Sequence, residues 1–272
     1  MTRSPLRSRF SPAEIAALWQ AADAVADAAR PATLAHFRTE GLSADNKAIA
    51  GFDPVTAADR ASEAAMRAVL AQFRPDDAIL GEEEEAKPGT SGLTWVLDPI
   101  DGTRGYLSGT PTWGVLIALA DDHGPFLGII DQPYIGERFR GGLGEARVDG
   151  PLGRHPLRAR PARPLSQAIL FTTFPEIGTA EEGAAFRRVS AQARLTRYGT
   201  DCYAYALLAA GQIDLVIEAG LQPYDVMAPI AVIEAAGGVV TDWQGRPAHQ
   251  GGRILAASSP ALHAEAMALL NG

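Results

Sequence analysis

The sequence has only one cysteine, Cys202, so it cannot form an internal disulfide. It also has no apolar run suited to a membrane span, because residues 115–120 are too few and residues 226–240 are interrupted by proline, glutamate and glycine. Its first ten residues are too polar to supply the apolar stretch of a secretory signal. These absences predict a cytoplasmic protein that does not associate with a membrane.

Positive charge is in short supply. The chain has 24 lysines and arginines against 32 aspartates and glutamates, a formal net charge of −8. This balance disfavours nonspecific binding to nucleic acid, which depends on neutralising phosphates. An anionic substrate would need bound cations to mediate its approach. With 272 residues and 47% apolar content, the chain can still fill a substantial core.

The motifs of several enzyme classes are also missing. The sequence has no G-x-S-x-G elbow and no P-loop, Cys202 lacks a cysteine-protease context, and the five histidines show no metal-ligand spacing. The shortage of soft ligands disfavours Zn²⁺. Mg²⁺ or Mn²⁺ held by oxygen ligands remains the chemically consistent choice.

The first half of the chain predicts two helices followed by strands. Ser11, Pro12 and Glu14 have the spacing of an N-cap, a first helical residue and a capping box, and Thr56 begins a second helix that ends before Arg74-Pro75. Apolar runs at 94–97, 112–119 and 126–130 then predict strands, the last two joined by a turn. This order favours antiparallel pairing.

The second half alternates between strands and helices. Strands are predicted near 168–172, 213–218, 238–241 and 253–257, and helices near 181–193, at 201–210, at about 226–236 and from Ser259-Pro260. Such alternation favours a layered α/β half with a more parallel sheet. The Pro-, Arg- and Gly-rich stretch 150–164 separates the two patterns. It predicts an N-terminal α+β half over 1–152 and a C-terminal α/β half over 153–272.

The clearest chemical motif is the segment Asp98-Pro99-Ile100-Asp101-Gly102-Thr103, which follows an apolar strand. Two aspartates three positions apart can converge on one side of a turn, and bridging carboxylates suit hard divalent cations. Gly102 would let a phosphate approach backbone amides, and Thr103 adds a hydroxyl. The alternative interpretation is a solvated turn, because Asp, Pro and Gly are common turn residues.

Other acidic residues have structural alternatives of their own. Glu82 opens a run of four glutamates after a short apolar segment, and such runs are often surface patches. Asp59 matches a helix capping box with Thr56, a role that is compatible with catalysis. Asp225 lies just before an apolar helix and could be its N-cap.

Four motifs in order resemble the inositol monophosphatase superfamily: DPVTAAD at 53–59, GEE at 81–83, WVLDPIDGT at 95–103 and YDVMAP at 224–229, followed by EAAGGVVTDWQG. The resemblance covers nearly the whole chain. It implies an α/β/α/β/α layered sandwich, a small phosphate monoester as substrate, and two or three Mg²⁺ ions, with Mn²⁺ as an alternative. Members of the superfamily are commonly homodimers.

The resemblance also implies roles for individual residues. One ion would be held by Glu82, Asp98 and the carbonyl of Ile100, and another by Asp98, Asp101 and Asp225. Asp59 and Thr103 would activate the attacking water, while Gly102 and Thr103 would offer amides to the phosphate. The first half would therefore carry most of the metal ligands, and the second half would carry Asp225 and the residues that choose the alcohol.

Within the superfamily, Arg104, the segment YGTDCYAYALLAAG at 198–211 and EAGLQPYD at 218–225 resemble the histidinol-phosphate phosphatase branch. Asp101, Arg104, Asp201, Glu218 and Asp225 would then contact the substrate. Two carboxylates suit a cationic amino alcohol with an imidazole better than a neutral polyol.

Simpler interpretations of these specificity residues stay open. Asp201 would be a helix N-cap, Glu218 a polar strand end and Arg104 a surface or dimer-interface charge. For the whole protein, the alternatives are an inositol or other small polyol or nucleotide phosphatase, and a catalytically silent protein that binds a metabolite or partner. The complete acidic set argues against the silent protein.

Overall fold

The computed structural model describes residues 9–40, 42–46 and 54–272. Helix α1 (Pro12–Leu34) begins with the predicted capping box between Ser11 and Glu14. Strands β1 (Ala44–Asn46) and β2 (Pro54–Thr56) form a short antiparallel pair, and Asp53 of the DPVTAAD motif lies outside the described residues. Helix α2 (Ala57–Phe73) begins at its predicted N-cap Thr56 and ends before Arg74.

The next strands form a seven-stranded sheet in sequence order. They are β3 (Ala78–Gly81), β4 (Thr94–Asp101), β5 (Gly114–Asp121), β6 (Gly124–Gln132), β7 (Glu137–Gly142), β8 (Glu145–Gly150) and β9 (Gly153–Pro156). Only the β3–β4 pair of this sheet is parallel, so the predicted antiparallel pairing is confirmed. A short helix, α3 (Thr103–Ser108), follows β4.

The second half forms a five-stranded sheet in the order β11-β10-β12-β14-β13. Its strands are β10 (Ile169–Thr172), β11 (Leu195–Tyr198), β12 (Leu215–Leu221), β13 (Val239–Thr241) and β14 (Gly252–Ala257). Its helices are α4 (Ala180–Ser190), α5 (Asp201–Ala209), α6 (Pro223–Ala235) and α7 (Pro260–Asn271). Strand β10 pairs in parallel with both β11 and β12, whereas β14 is antiparallel to its neighbours.

Alternating side chains divide the molecule into five layers. Trp95 and Leu97 of β4 pack with α1 and α2, whereas Val96 between them packs with α5 and α6. In β12, Val216 faces the same middle helices, and Leu215 packs with α4 and α7 on the far side. Burying one such aliphatic side chain contributes about 1.5–3 kcal/mol. The α/β/α/β/α sandwich implied by the resemblance is confirmed.

Several bounds differ from the sequence prediction, and strands β1, β2, β7, β8, β9 and β11 were not predicted. In β7, β8, β9 and β11, polar and charged residues interrupt the apolar ones, so these strands lack the apolar runs by which the others were recognised. Across β7–β9, ion pairs such as Arg147–Asp149 and Arg154–Asp149 take the place of an apolar pattern. Strand β9 falls inside the predicted separating stretch and pairs with β8, so the first sheet extends to Pro156. The division at residue 152 stays a prediction.

The described residues also bear on membrane association. Across residues 9–40, 42–46 and 54–272, no helix has the length and apolar character needed to cross a bilayer.

Candidate active site

The DPIDGT segment is the last part of β4 and the turn into α3. Pro99 has no N–H to donate, and the β4–β5 register shifts between Asp98 and Asp101. The Ile100 N–H donates to Asp98 Oδ1 at 3.1 Å, and the Cys202 N–H donates to Asp101 Oδ2 at 2.6 Å. The irregular strand end is therefore held by hydrogen bonds and is not a loose solvated turn.

Asp225 joins these aspartates from the first turn of α6. It is not the N-cap that the alternative interpretation proposed: Gln222 is the N-cap, and Asp225 Oδ2 accepts its N–H at 2.7 Å, closing a capping box. One carboxylate oxygen each from Asp98, Asp101 and Asp225 can be chosen so that all three lie within 4.8 Å of one another. The end of β4 and the first turn of α6 thus contribute to one acidic cluster.

Glu82 lies beside this cluster, immediately after β3. The buried carboxylate of Glu63 shapes the turn, because it accepts the backbone N–H groups of Glu83 and Glu84 at 2.8 and 3.1 Å. A side chain at Gly81 would collide with it, since an added Cβ would lie 2.0 Å from Glu63 Oε1. Glu84 and Glu85 are exposed, so the solvated alternative holds for that end of the run only.

The convergence of carboxylates has an electrostatic cost. Burial, followed by the charges of Glu82, Asp101 and Asp225, raises the pKa of Asp98 well above its ordinary value. Burial, followed by Asp201 and Asp225, does the same to the pKa of Asp101. A divalent cation would relieve this repulsion, and the donor set of hard oxygens fits Mg²⁺ or Mn²⁺.

Asp59 connects the capping box of α2 to this turn. Its Oδ2 accepts the Thr56 N–H at 2.8 Å and the Thr56 hydroxyl at 2.5 Å, and its Oδ1 accepts the Thr103 hydroxyl at 3.4 Å. The same hydroxyl lies 3.1 Å from the Ile100 carbonyl oxygen. The structural and functional interpretations of Asp59 are therefore compatible, as the sequence indicated.

Every predicted site residue except the fully buried Asp59 lines one cavity of about 270 Å³. Gly102 is required there: its φ is 84°, and an added Cβ would lie 2.7 Å from Asp201 Cγ. The DPIDGT turn and the first turn of α5 are therefore in close contact at the cavity.

Asp201 is not the N-cap of α5. Thr200 takes that position, and Asp201 is the first helical residue, with a φ of 44° that aspartate tolerates better than most residues. The Thr112 hydroxyl lies 3.4 Å from its Oδ2. Burial raises the pKa of Asp201, while Thr112 and the Arg104 guanidinium oppose the shift. Arg104 thus faces Asp201 across the cavity wall.

Glu218, on β12, is a buried carboxylate and not an exposed strand end. The Thr173 N–H and hydroxyl donate to its Oε1 at 2.8 and 2.9 Å, and the Thr172 hydroxyl donates to its Oε2 at 3.2 Å. Burial nevertheless raises its pKa to about 7. The cavity is therefore lined by a further buried acidic residue besides Asp201 and the Asp98–Asp101–Asp225 cluster.

The family model of the inositol monophosphatase family matches residues 7–271. The chain belongs to the inositol monophosphatase family. It is 42% identical over 241 residues to the bifunctional phosphatase IMPL2, chloroplastic, of Arabidopsis thaliana, covering 88% of this chain and 68% of the plant protein. It is 34% identical over 254 residues to the histidinol-phosphatase of Mycobacterium tuberculosis, covering 91% and 95%.

A solved inositol monophosphatase from Zymomonas mobilis has a TM-score of 0.83 and 38% identity, covering 97% of this chain and all 100% of that one. Family membership and the relatives named as phosphatases show that the chain is a phosphoric monoester hydrolase. The family is generally metal-dependent, which agrees with the acidic cluster.

Several residues that line the cavity were not predicted from the sequence, among them Thr173, Phe174 and Tyr205. Thr173 and Phe174 directly follow β10, so their position at a strand end was an available signal. Tyr205 lies within an apolar helical segment and gave no such signal. Its hydroxyl is buried and has no hydrogen-bond partner within the described part of the chain.

Proposed function

We propose that this protein hydrolyses L-histidinol phosphate to L-histidinol and phosphate with the help of Mg²⁺. The observation that carries this proposal is the pairing of two acidic groups in one cavity. The Asp98–Asp101–Asp225 cluster suits metal ions, and Asp201 and Glu218 line the same cavity outside that cluster. The histidinol-phosphatase of Mycobacterium tuberculosis, 34% identical to this chain, supports the choice of substrate.

The side chains present in the cavity provide the oxygen ligands that a Mg²⁺ site requires. Glu82, Asp98 and the Ile100 carbonyl would bind one ion. Asp98, Asp101 and Asp225 would bind a second, and the proposal is for two or three ions in all. When bound, Mg²⁺ supplies charge that neutralises the phosphate and the developing alkoxide and acidifies water. Mn²⁺ is the alternative, because it accepts the same oxygen ligands.

Thr103 and Asp59 would orient the attacking water. The Thr103 hydroxyl lies 3.4 Å from Asp59 Oδ1, so it can accept a hydrogen bond from water while it donates to this carboxylate. Asp59 Oδ1 is then the atom that would receive the proton. The backbone amides of Gly102 and Thr103 would bind phosphate oxygens, an approach that the missing side chain of Gly102 permits.

Asp201 and Glu218 would recognise the organic part of the substrate. L-histidinol carries an amine and an imidazole, and both can donate charge-assisted hydrogen bonds to carboxylates. The three hydrogen bonds from Thr172 and Thr173 fix the Glu218 carboxylate, which reduces the entropy lost on binding. Arg104 would balance the charge of Asp201 and border the same space.

The second candidate is an inositol 1-phosphate or related polyol phosphatase. It is favoured by the structural likeness to the inositol monophosphatase from Zymomonas mobilis. The name of IMPL2 also describes a bifunctional phosphatase. A homodimer and a cytoplasmic location complete the proposal, although the plant relative is named as chloroplastic.

The substrate proposal is tested by phosphate release from the purified protein with Mg²⁺. The panel contains histidinol phosphate, inositol 1-phosphate, a sugar phosphate and adenosine 3′,5′-bisphosphate. We expect the highest kcat/KM on histidinol phosphate, and Asp98→Asn prepared in parallel should remove the activity, which excludes a contaminating phosphatase. A higher kcat/KM on inositol 1-phosphate would overturn the substrate assignment in favour of the second candidate.

A further inference from the structure

An exposed aromatic ring lies at the wall of the acidic cavity. Phe174 lines the cavity and retains 43% of its exposure to solvent, although it is a large apolar side chain. It follows the end of β10 by two residues. Water in contact with an aromatic surface is released when a ligand covers it, so an exposed ring in a binding cavity favours ligands with an apolar face.

A contact with Arg104 of α3 positions the Phe174 ring. The guanidinium carbon of Arg104 lies 4.8 Å from the centroid of the Phe174 ring, a cation–π contact. Arg104 belongs to α3, which follows β4 of the first sheet, whereas Phe174 follows β10 of the second. The contact therefore joins a residue of the first half of the chain to a residue of the second half at the cavity. It limits the orientations that the exposed ring can adopt.

The ring is also next to an acidic group that the substrate would contact. Thr173, the residue immediately before Phe174, donates both its N–H and its hydroxyl to Glu218. One dipeptide therefore supplies a flat apolar surface and anchors a buried carboxylate. A ligand that fits both features has a planar ring and can donate a hydrogen bond or carry positive charge.

We propose that Phe174 is a specificity-determining residue whose ring packs against a planar, cationic heteroaromatic group of the substrate alcohol. The inference rests on the proposed function and extends it, because it assigns the imidazole of histidinol to a particular wall of the cavity. A saturated polyol ring has neither a π system nor a positive charge, so it cannot gain the aromatic-pair or cation–π contribution that an imidazole can. Phe174 therefore discriminates between the two candidate substrates.

The test measures binding of L-histidinol, the dephosphorylated product, to the Mg²⁺-loaded protein by NMR titration, so it does not depend on turnover. L-Leucinol, an amino alcohol without an aromatic ring, is the control ligand. Phe174→Leu keeps an apolar side chain and removes the ring, whereas Phe174→Tyr keeps the ring. Phe73→Leu is the matched control, since Phe73 is 44% exposed at the end of α2 and does not line the cavity.

We expect Phe174→Leu to weaken histidinol binding by about three- to tenfold, the scale of one aromatic pair. Phe174→Tyr and Phe73→Leu should stay within about twofold of the wild type, and leucinol binding should not change. The imidazole proton resonances should shift upfield on binding to the wild type and lose this shift in Phe174→Leu. With histidinol phosphate and Mg²⁺, Phe174→Leu should raise KM with little change in kcat.

The inference is overturned if Phe174→Leu binds histidinol with wild-type affinity, or if the wild type shows no measurable histidinol binding. Equal weakening of histidinol and leucinol would also overturn it, because that pattern indicates a general disturbance of the cavity. Failure of the proposed function is seen separately, as wild-type protein that binds histidinol but releases no phosphate from its ester.

Discussion

Replacing Glu218 by glutamine tests the specificity half of the site with little disturbance of the fold. The glutamine carbonyl oxygen can accept the two hydrogen bonds that Thr173 donates to Glu218 Oε1. In the wild type the Thr172 hydroxyl donates to Glu218 Oε2. In the mutant the glutamine amide group can donate to this hydroxyl instead. The substitution therefore removes the negative charge and keeps the three contacts.

The size of the effect depends on pH. A charge-assisted hydrogen bond contributes about 1.5–3 kcal/mol, so Glu218→Gln should lower kcat/KM on histidinol phosphate by about ten- to a hundredfold when Glu218 is ionised. Burial raises the pKa of Glu218 to about 7, so the carboxylate is mostly ionised at pH 8 and mostly protonated at pH 6. At pH 6 only about a tenth of the wild-type carboxylates are charged, so the difference between wild type and mutant should shrink by about five- to tenfold.

The assay is phosphate release at pH 6 and pH 8 by wild type and Glu218→Gln, on histidinol phosphate and on inositol 1-phosphate. The ratio of the two proteins at each pH removes the titration of the substrate itself, which is the same for both. We expect a pH-dependent ratio on histidinol phosphate and a ratio near one on the inositol ester. Equal losses on both esters, or a ratio that does not change with pH, would refute the role given to Glu218.

Three further predictions concern the metal and phosphate half of the site. Asp98→Asn should lower Mg²⁺-stimulated phosphate release by at least about a hundredfold with an unchanged circular dichroism spectrum, and a smaller loss would remove Asp98 as a bridging ligand. Thr103→Val should lower turnover with little change in Tm, whereas a large fall in Tm with normal turnover would make its hydroxyl structural. Gly102→Ala should lower both Tm and activity, because its φ of 84° costs alanine about 1–2 kcal/mol and the added Cβ would lie 2.7 Å from Asp201 Cγ. A wild-type thermal melt for this mutant would contradict the packing described for the turn.

The sequence predicted best those features that are determined locally. The caps of α1 and α2 follow from hydrogen bonds between residues three apart, so their spacing is visible in the chain. The DPIDGT turn is also local, since Pro99 and Gly102 set the backbone around Asp98 and Asp101. Apolar runs predicted the central strands because both faces of those strands are buried.

Features that depend on contacts between distant residues were harder to predict. Strand β8 carries ion pairs of Arg147 with Glu145 and Asp149 along its own length, and Arg154 of β9 pairs with Asp149, a pattern that does not resemble an apolar strand. Glu63 was missed because its role, accepting the amides of residues 83 and 84, becomes visible only when α2 packs beside that turn. Phe174 was missed for a similar reason, since its partner Arg104 lies 70 residues earlier in the sequence, on α3.

The most direct test of the central claim, that the acidic cluster holds Mg²⁺ for phosphate ester hydrolysis, is metal removal and replacement. Phosphate release from histidinol phosphate is measured after treatment with EDTA and again after adding Mg²⁺ or Ca²⁺. The account predicts no activity in the treated protein, recovery with Mg²⁺, and poor recovery with Ca²⁺, whose looser coordination suits an ordered displacement badly. Full activity of the metal-free protein would contradict the account.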